Sequence, residues 1–207
     1  MKKYHNYVFD FKAKKFLGNF EEMYKAESEQ NFDSWHQEDQ RYLKRKINKA
    51  ILDDYNFDLI LDFGCGKGSF THLFKKKNNK VIGIDISSKA IKIASERYPD
   101  IEFISANIEN EFSFNKFSSP NNIALFIEVL SYLKNWKQIL EDVARNFDYI
   151  LINLFLPDDP IGFIKDEKEI IDYLLKNFYE IQIVFLRTQK EVIFFGKSKH
   201  RNLNGNE

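Results

Sequence analysis

Leu43, Ile47, Ala50 and Ile51 fall at i, i+4, i+7 and i+8, a spacing that predicts an amphipathic helix. Ahead of it, residues 17–26 read as a second helix with Phe20, Met23 and Tyr24 on one face. The polar stretch 27–40 between them holds Trp35 and His36. From residue 57 the pattern changes to alternating strand and helix. Residues 57–63 read as a strand, followed by a glycine cluster and a helix carrying Phe70, Leu73 and Phe74. Residues 81–84, 101–105, 123–127 and 149–156 read as further strands. A helix with Ala90, Ala94 and Tyr98 follows the first of these. The cleanest helical stripe, Trp136, Ile139, Leu140, Val143, Ala144 and Phe147, precedes the last.

Asp166 with Glu169 three residues later forms a capping box that opens a helix with Ile170, Ile171, Leu174 and Leu175. Residues 181–186 and 191–195 then read as two strands of a terminal hairpin. Five strands alternating with helices imply a parallel sheet covered on both faces. The hairpin adds one antiparallel strand to it. We therefore expect an N-terminal helical cap at 1–55, a catalytic domain at 56–197 and a disordered polar tail at 198–207.

Composition narrows the function. The 207 residues suit one domain, and Lys+Arg and Asp+Glu balance at 31 each. A chain without net charge has no global attraction for nucleic acid or an anionic membrane. The one cysteine, Cys65, rules out an internal disulfide, and no apolar run is long enough to span a bilayer. Met1-Lys2-Lys3 is not followed by an apolar core, so no signal peptide is read. A cytoplasmic location is the expectation.

The candidate chemistry lies at the strand ends. Asp62-Phe63-Gly64-Cys65-Gly66-Lys67-Gly68 stands directly after a strand. Glycines there let the backbone turn tightly and approach a ligand. A following helix N-terminus would offer N–H groups to a cofactor carboxylate, and Asp62 could hold an ammonium. Asp85, about 20 residues after the loop, is placed to accept from two ribose hydroxyls, with Ile86 beside it. Asn107 and Ile108, just past the third strand, suit an adenine ring. Glu128 ends the fourth strand, with Tyr132 one turn on. All lie at carboxyl ends of successive strands, where open α/β sheets bind ligands.

These stretches resemble the class I S-adenosylmethionine-dependent methyltransferases over residues 59–156. Ile60-Leu61-Asp62-Phe63-Gly64-Cys65-Gly66-Lys67-Gly68 is similar to that family's first motif, and Gly83-Ile84-Asp85-Ile86-Ser87 to its second. Ala106-Asn107-Ile108 is similar to the third, with Asn107 where the family more often has Asp. Ile127-Glu128-Val129-Leu130 resembles the fourth-strand motif of the branch acting on small molecules. The resemblance implies a Rossmann-like, doubly wound, seven-stranded sheet with the hairpin at one edge. It implies S-adenosyl-L-methionine as cofactor and cofactor roles for Asp62, Gly64, Gly66, Asp85 and Asn107. Cys65, Ile86, Ile108 and Glu128 complete the expected cofactor-binding set. Phe20-Glu21-Glu22-Met23-Tyr24 and Phe32-Asp33-Ser34-Trp35 are similar to methyltransferases of the nodulation protein S type, which modify saccharides.

The expected function is methyl transfer to oxygen or nitrogen of a small molecule, a saccharide or related metabolite. Glu128 and His36 are the candidate bases, and Tyr132 the orienting group. An activated methyl needs neither a metal nor a covalent enzyme intermediate. Each residue also has a plainer reading: Asp85 as a helix-start carboxylate, Asn107 as a turn residue, Tyr132 as packing, His36 as a surface histidine. A nicotinamide-dependent oxidoreductase is disfavoured, because Gly-x-Gly-x-x-Gly meets Ser69 at its last position. A nucleic-acid methyltransferase is disfavoured by Glu128-Val129-Leu130 in place of an Asn/Asp-Pro-Pro-aromatic motif. The non-enzyme alternative is a partner protein that binds the cofactor without turnover.

Overall fold

The computed structural model describes residues 6–110, 112–117 and 119–201. Its centre is β3 (Leu59–Phe63), a strand buried at all five positions. A strand covered on both faces reads as an unbroken apolar run, which is why Leu-Ile-Leu-Asp-Phe shows little alternation. Around it stand β4 (Lys80–Asp85), β5 (Glu102–Ser105), β6 (Asn122–Ile127) and β7 (Tyr149–Phe155). The hairpin strands are β8 (Phe178–Leu186) and β9 (Glu191–Ser198). The sheet runs β5-β4-β3-β6-β7-β9-β8, parallel throughout except for β9. The expected seven-stranded sheet with a terminal hairpin is therefore present.

Side-chain alternation divides the core between the two faces. Leu59, Leu61 and Phe63 point to one face and pack with α4 (Trp136–Asn146) and α5 (Glu167–Asn177). Ile60, Val81, Ile123 and Leu151 point to the other and meet α2 (Leu43–Asp53) through Ile51 and Leu52. Two helix starts are fixed by side chains. The Asp166 carboxylate accepts from Glu169 N at 2.8 Å, and Ser87 Oγ accepts from Ala90 N at 3.1 Å to open α3 (Ser88–Arg97).

Three expectations change. The helix read after the glycine loop is only a 3-10 turn, Thr71–Phe74. Asn79 ends it: Nδ2 donates to Phe74 O at 2.8 Å, and Oδ1 accepts from Lys76 N at 2.8 Å. The first helix, α1 (Phe20–Gln30), starts later and runs further than 17–26, because Gly18 takes φ +69° ahead of it. Before it lies a hairpin of β1 (Phe9–Asp10) and β2 (Lys15–Phe16), too short for a periodicity to reveal. Its turn is held by Asp10 Oδ1, which accepts from Lys12 N and Ala13 N at 3.0 and 2.9 Å.

Residues 198–201, expected in the tail, are tied to the sheet domain. β9 includes Ser198, and the Arg201 guanidinium donates to Ser119 O at 2.6 Å and Asn146 O at 3.0 Å while pairing with Asp148 at 3.1 Å. Residues 202–207 lie outside the described residues. Among the described residues no helix is long and apolar enough to cross a membrane.

Leu140 is fully buried between α4 and the sheet. Leu140→Ala should lower stability by about 2–5 kcal/mol in urea unfolding, with an unchanged m-value. A loss below about 1 kcal/mol would show that α4 is not packed as described.

Candidate active site

The glycine loop is folded back onto the next strand. Gly64 N and Cys65 N both donate to Ile84 O, at 2.7 and 3.1 Å. Gly64, Gly66 and Gly68 have φ of +73°, +55° and +75°, the left-handed region that favours glycine. Gly64 has a second reason to be glycine: an added Cβ would lie 2.6 Å from Val129 Cγ2. The Asp85 carboxylate then ties loop to helix. Its Oδ2 accepts from Gly66 N and its Oδ1 from Ser87 N, both at 2.9 Å. Asp62 Oδ2 accepts from Thr71 Oγ1 at 2.6 Å.

Both carboxyl groups are buried, which disfavours their charged forms. Burial pushes Asp62 up to about 7 against the Thr71 hydrogen bond, with the Asp85 charge adding to the push. Burial likewise raises Asp85 to about 6, against the Ser87 and Gly66 N–H groups. Carboxylates in such positions are poised to receive a cationic or hydroxyl-bearing ligand. The Cys65 thiol is pushed well up by burial and the two aspartates, so it is no nucleophile.

Asp62, Gly64, Cys65, Asp85, Ile86, Asn107, Ile108, Glu128, Tyr132 and His36 all line one cavity of about 830 Å³. Gly66 does not line it, being turned toward Asp85, Gln37 and Tyr24. Ile86 is 52% exposed at the rim, and Ile108 is buried. Asn107 Oδ1 accepts from Glu109 N at 3.0 Å, so its side-chain carbonyl also serves the turn. His36, at φ +51°, lies with its ring 6.2 Å from that of Tyr42. Of the other histidines, His72 stacks on Tyr98 and His5 lies outside the described residues.

Glu128 sits at φ +59°, a backbone conformation uncommon for a residue with a side chain. Its carboxylate meets Lys44 of α2, whose Nζ is also 2.6 Å from Glu191 of β9. Glu191 in turn accepts from Asn153 Nδ2 at 2.6 Å, and Asn153 Oδ1 from Asn48 Nδ2 at 3.1 Å. Burial and the Glu128 charge push Glu191 up to about 7, with Lys44 opposing. Burial alone would lower Lys44, but Glu128 and Glu191 raise it overall. Sequence reasoning missed Lys44 and Glu191, because one looks like a solvated helix charge and the other like a hairpin end.

Tyr132 is the hub of an aromatic cluster. Phe16 stacks on it at 5.5 Å and 4°, and Phe9, Phe20 and Trp35 approach at 5.8, 5.5 and 6.4 Å. Burial and the nearby Glu128 and Glu191 raise its phenol well above the usual range. The N-terminal segment is held against the glycine loop by polar ties. Lys67 Nζ pairs with Glu27 at 2.6 Å and Asp33 at 3.1 Å, and Gln37 Oε1 accepts from Lys67 N at 2.9 Å.

A family model described as a methyltransferase domain matches residues 60–148. Over those residues the chain is similar to a methyltransferase domain. It is similar to the trans-aconitate 2-methyltransferases of Afipia carboxidovorans (45% identity over 51 residues) and Rhodopseudomonas palustris (33% over 87 residues). Those matches cover 24% and 41% of this chain but only 20% and 34% of the relatives' own lengths. The methyltransferase fold is shared with the N-methyltransferase NodS of Bradyrhizobium japonicum, solved with S-adenosyl-L-homocysteine. The TM-score is 0.63 at 15% identity, covering 85% of this chain and 98% of that one. The cofactor of such methyltransferases is S-adenosylmethionine, and the Gly64 cradle with the two raised aspartates fits its cationic methionyl arm and ribose.

The raised carboxyls give the protein a pH-dependent stability. A group whose folded pKa is raised stabilises fully below its unfolded pKa, and that stability is lost as pH rises through the folded value. For Asp62 the window runs from about 4 to 7. Urea unfolding should therefore show wild type losing stability between about pH 4 and 7. Asp62→Asn should lose on the order of a few kcal/mol less over the same span. Parallel curves for the two proteins would contradict the buried, raised carboxyl.

Proposed function

We propose that this protein transfers a methyl group from S-adenosylmethionine to oxygen or nitrogen of a small-molecule acceptor. The observation that carries this reading is the pairing of Asp62 and Asp85 around a glycine loop at the ends of β3 and β4, opening on one cavity. When bound, the cofactor supplies a methyl carbon on positive sulfur, which leaves as a neutral thioether. Asp62 would hold the ammonium of the methionyl arm, and Gly64 would let the backbone approach it. Asp85 would take the ribose hydroxyls, Ile86 and Ile108 would flank the adenine, and Asn107 would meet its amino edge. Glu128, which lines the cavity just past β6, is the base we favour for the acceptor's proton, with His36 the other candidate and Tyr132 orienting the acceptor. The likeness of the N-terminal segment to saccharide-modifying enzymes would favour a saccharide or related metabolite as acceptor, and the aromatic lining of the cavity counts against it.

The segment before residue 41 closes the cavity over these groups. Trp35 lines it, and Lys67 binds the segment to the loop. Rate enhancement then comes chiefly from alignment and exclusion of water.

S-adenosylhomocysteine should bind with a dissociation constant in the micromolar range, about −8 kcal/mol. Asp85→Ala should weaken it about 10- to 100-fold by isothermal titration. A folded protein with no binding at millimolar ligand would sink the proposal. Formation of S-adenosylhomocysteine from S-adenosylmethionine separates an enzyme from a silent binding partner.

A further inference from the structure

The cavity wall away from Asp62 and Asp85 carries Ser34, His36, Gln37 and Ser131 among its lining, but two groups of side chains dominate it. One is aromatic: Phe9, Phe16, Phe20 and Trp35 converge on Tyr132, and all five line the cavity. The other is the cluster of Lys44, Glu128 and Glu191, of which Glu191 is buried and the other two half-buried. Two lysines and one arginine line the cavity among the described residues, and each is engaged. Lys44 lies between two carboxylates. Arg45 Nη1 donates to Gln37 O at 2.7 Å and Asp39 O at 2.9 Å. Lys14, at the exposed mouth, pairs with Asp159.

An anionic acceptor at this cluster would therefore meet two carboxylates and no uncommitted ammonium, a costly juxtaposition. A saccharide would bring a hydroxyl on nearly every ring carbon, and the five aromatic side chains leave most of those hydroxyls unpaired. A flat apolar ring meets neither penalty, since it buries its faces against the cluster. Its single protic group can reach the Lys44-bridged carboxylates. The wall also differs from a cage for cations, because its rings pack on one another rather than around an open centre.

We propose that the acceptor is a neutral hydroxyaryl compound, its ring on the Phe16–Tyr132 side and its hydroxyl toward Glu128, with polycarboxylates and saccharides discriminated against. This narrows the methyltransferase reading and rests on it.

The test uses fragment probes in place of the unidentified acceptor. The whole protein, with and without saturating S-adenosylhomocysteine, is titrated calorimetrically with 2-naphthol, 2-naphthoate, 2-naphthylmethylamine and N-acetylglucosamine. We expect 2-naphthol to bind at least about tenfold more tightly than each of the others, a difference of roughly 1.4 kcal/mol. Phe16→Ser should weaken 2-naphthol about tenfold with the fold intact by circular dichroism. Glu128→Gln should selectively improve 2-naphthoate, because it releases part of the hold on Lys44. A gain of that kind cannot come from misfolding. Equal or tighter binding of the naphthoate, the amine or the sugar would overturn the proposal. So would unchanged 2-naphthol binding in Phe16→Ser. Loss of S-adenosylhomocysteine binding with naphthol discrimination retained would instead overturn the methyltransferase reading.

Discussion

The Asp85 carboxylate, receiving N–H groups from Gly66 and Ser87, joins the glycine loop after β3 to the start of α3 after β4. The arrangement of the glycine loop at the ends of β3 and β4 follows from that tie. The loop can reach Asp85 only because Gly64 and Gly66 adopt positive φ and because Gly64 and Cys65 share the carbonyl of Ile84. Burying a carboxylate is costly, and two directed N–H groups offset part of the cost without cancelling it. The remaining imbalance is what a ligand at this position would relieve. Asp62 repeats the design one strand over, with a hydroxyl from Thr71 as its protein partner.

A second constraint comes from the N-terminal segment. Glu21 of α1 accepts from Ser87 Oγ at 2.6 Å, Ser88 Oγ at 3.0 Å and Lys89 N at 3.1 Å, placing its charge at the start of α3. Lys67 reaches the same segment through Glu27, whose other oxygen accepts from Ser34 at 2.7 Å. These ties are largely buried and mutually satisfied, so they hold the segment at a defined height over the loop. On the acceptor side Lys44 does the equivalent work, linking α2 to the ends of β6 and β9. Two lysines divide the work: Lys67 anchors the segment, and Lys44 of α2 faces Glu128.

The consequence for chemistry is a cavity with two unlike halves. One half is a set of buried carboxylates and backbone groups, poised for cationic and hydroxyl-bearing parts of a ligand. The other is largely aromatic, with one lysine held between two carboxylates. Such a division lets one ligand be held by polar contacts while another is selected by shape and apolar area.

Much of the cofactor half was legible in the chain alone. Continuous apolar strands, a glycine cluster directly after one of them and acidic residues at the ends of two determine a parallel sheet and a ligand edge, because these signals are local and strand-ends recur at regular spacing. The capping box at Asp166 and the terminal hairpin are local in the same sense. What was not legible depends on residues far apart. Two-residue strands carry no periodicity, so the hairpin that delivers Phe9 and Phe16 to Tyr132 left no pattern. The 3-10 turn replaced a helix because Asn79, beyond it in the chain, captured Phe74 O. Lys44 and Glu191 lie 147 positions apart, and nothing in either neighbourhood marks them as partners. Tertiary structure alone decided that they meet beside Glu128, because only the folded sheet brings the end of β9 under α2.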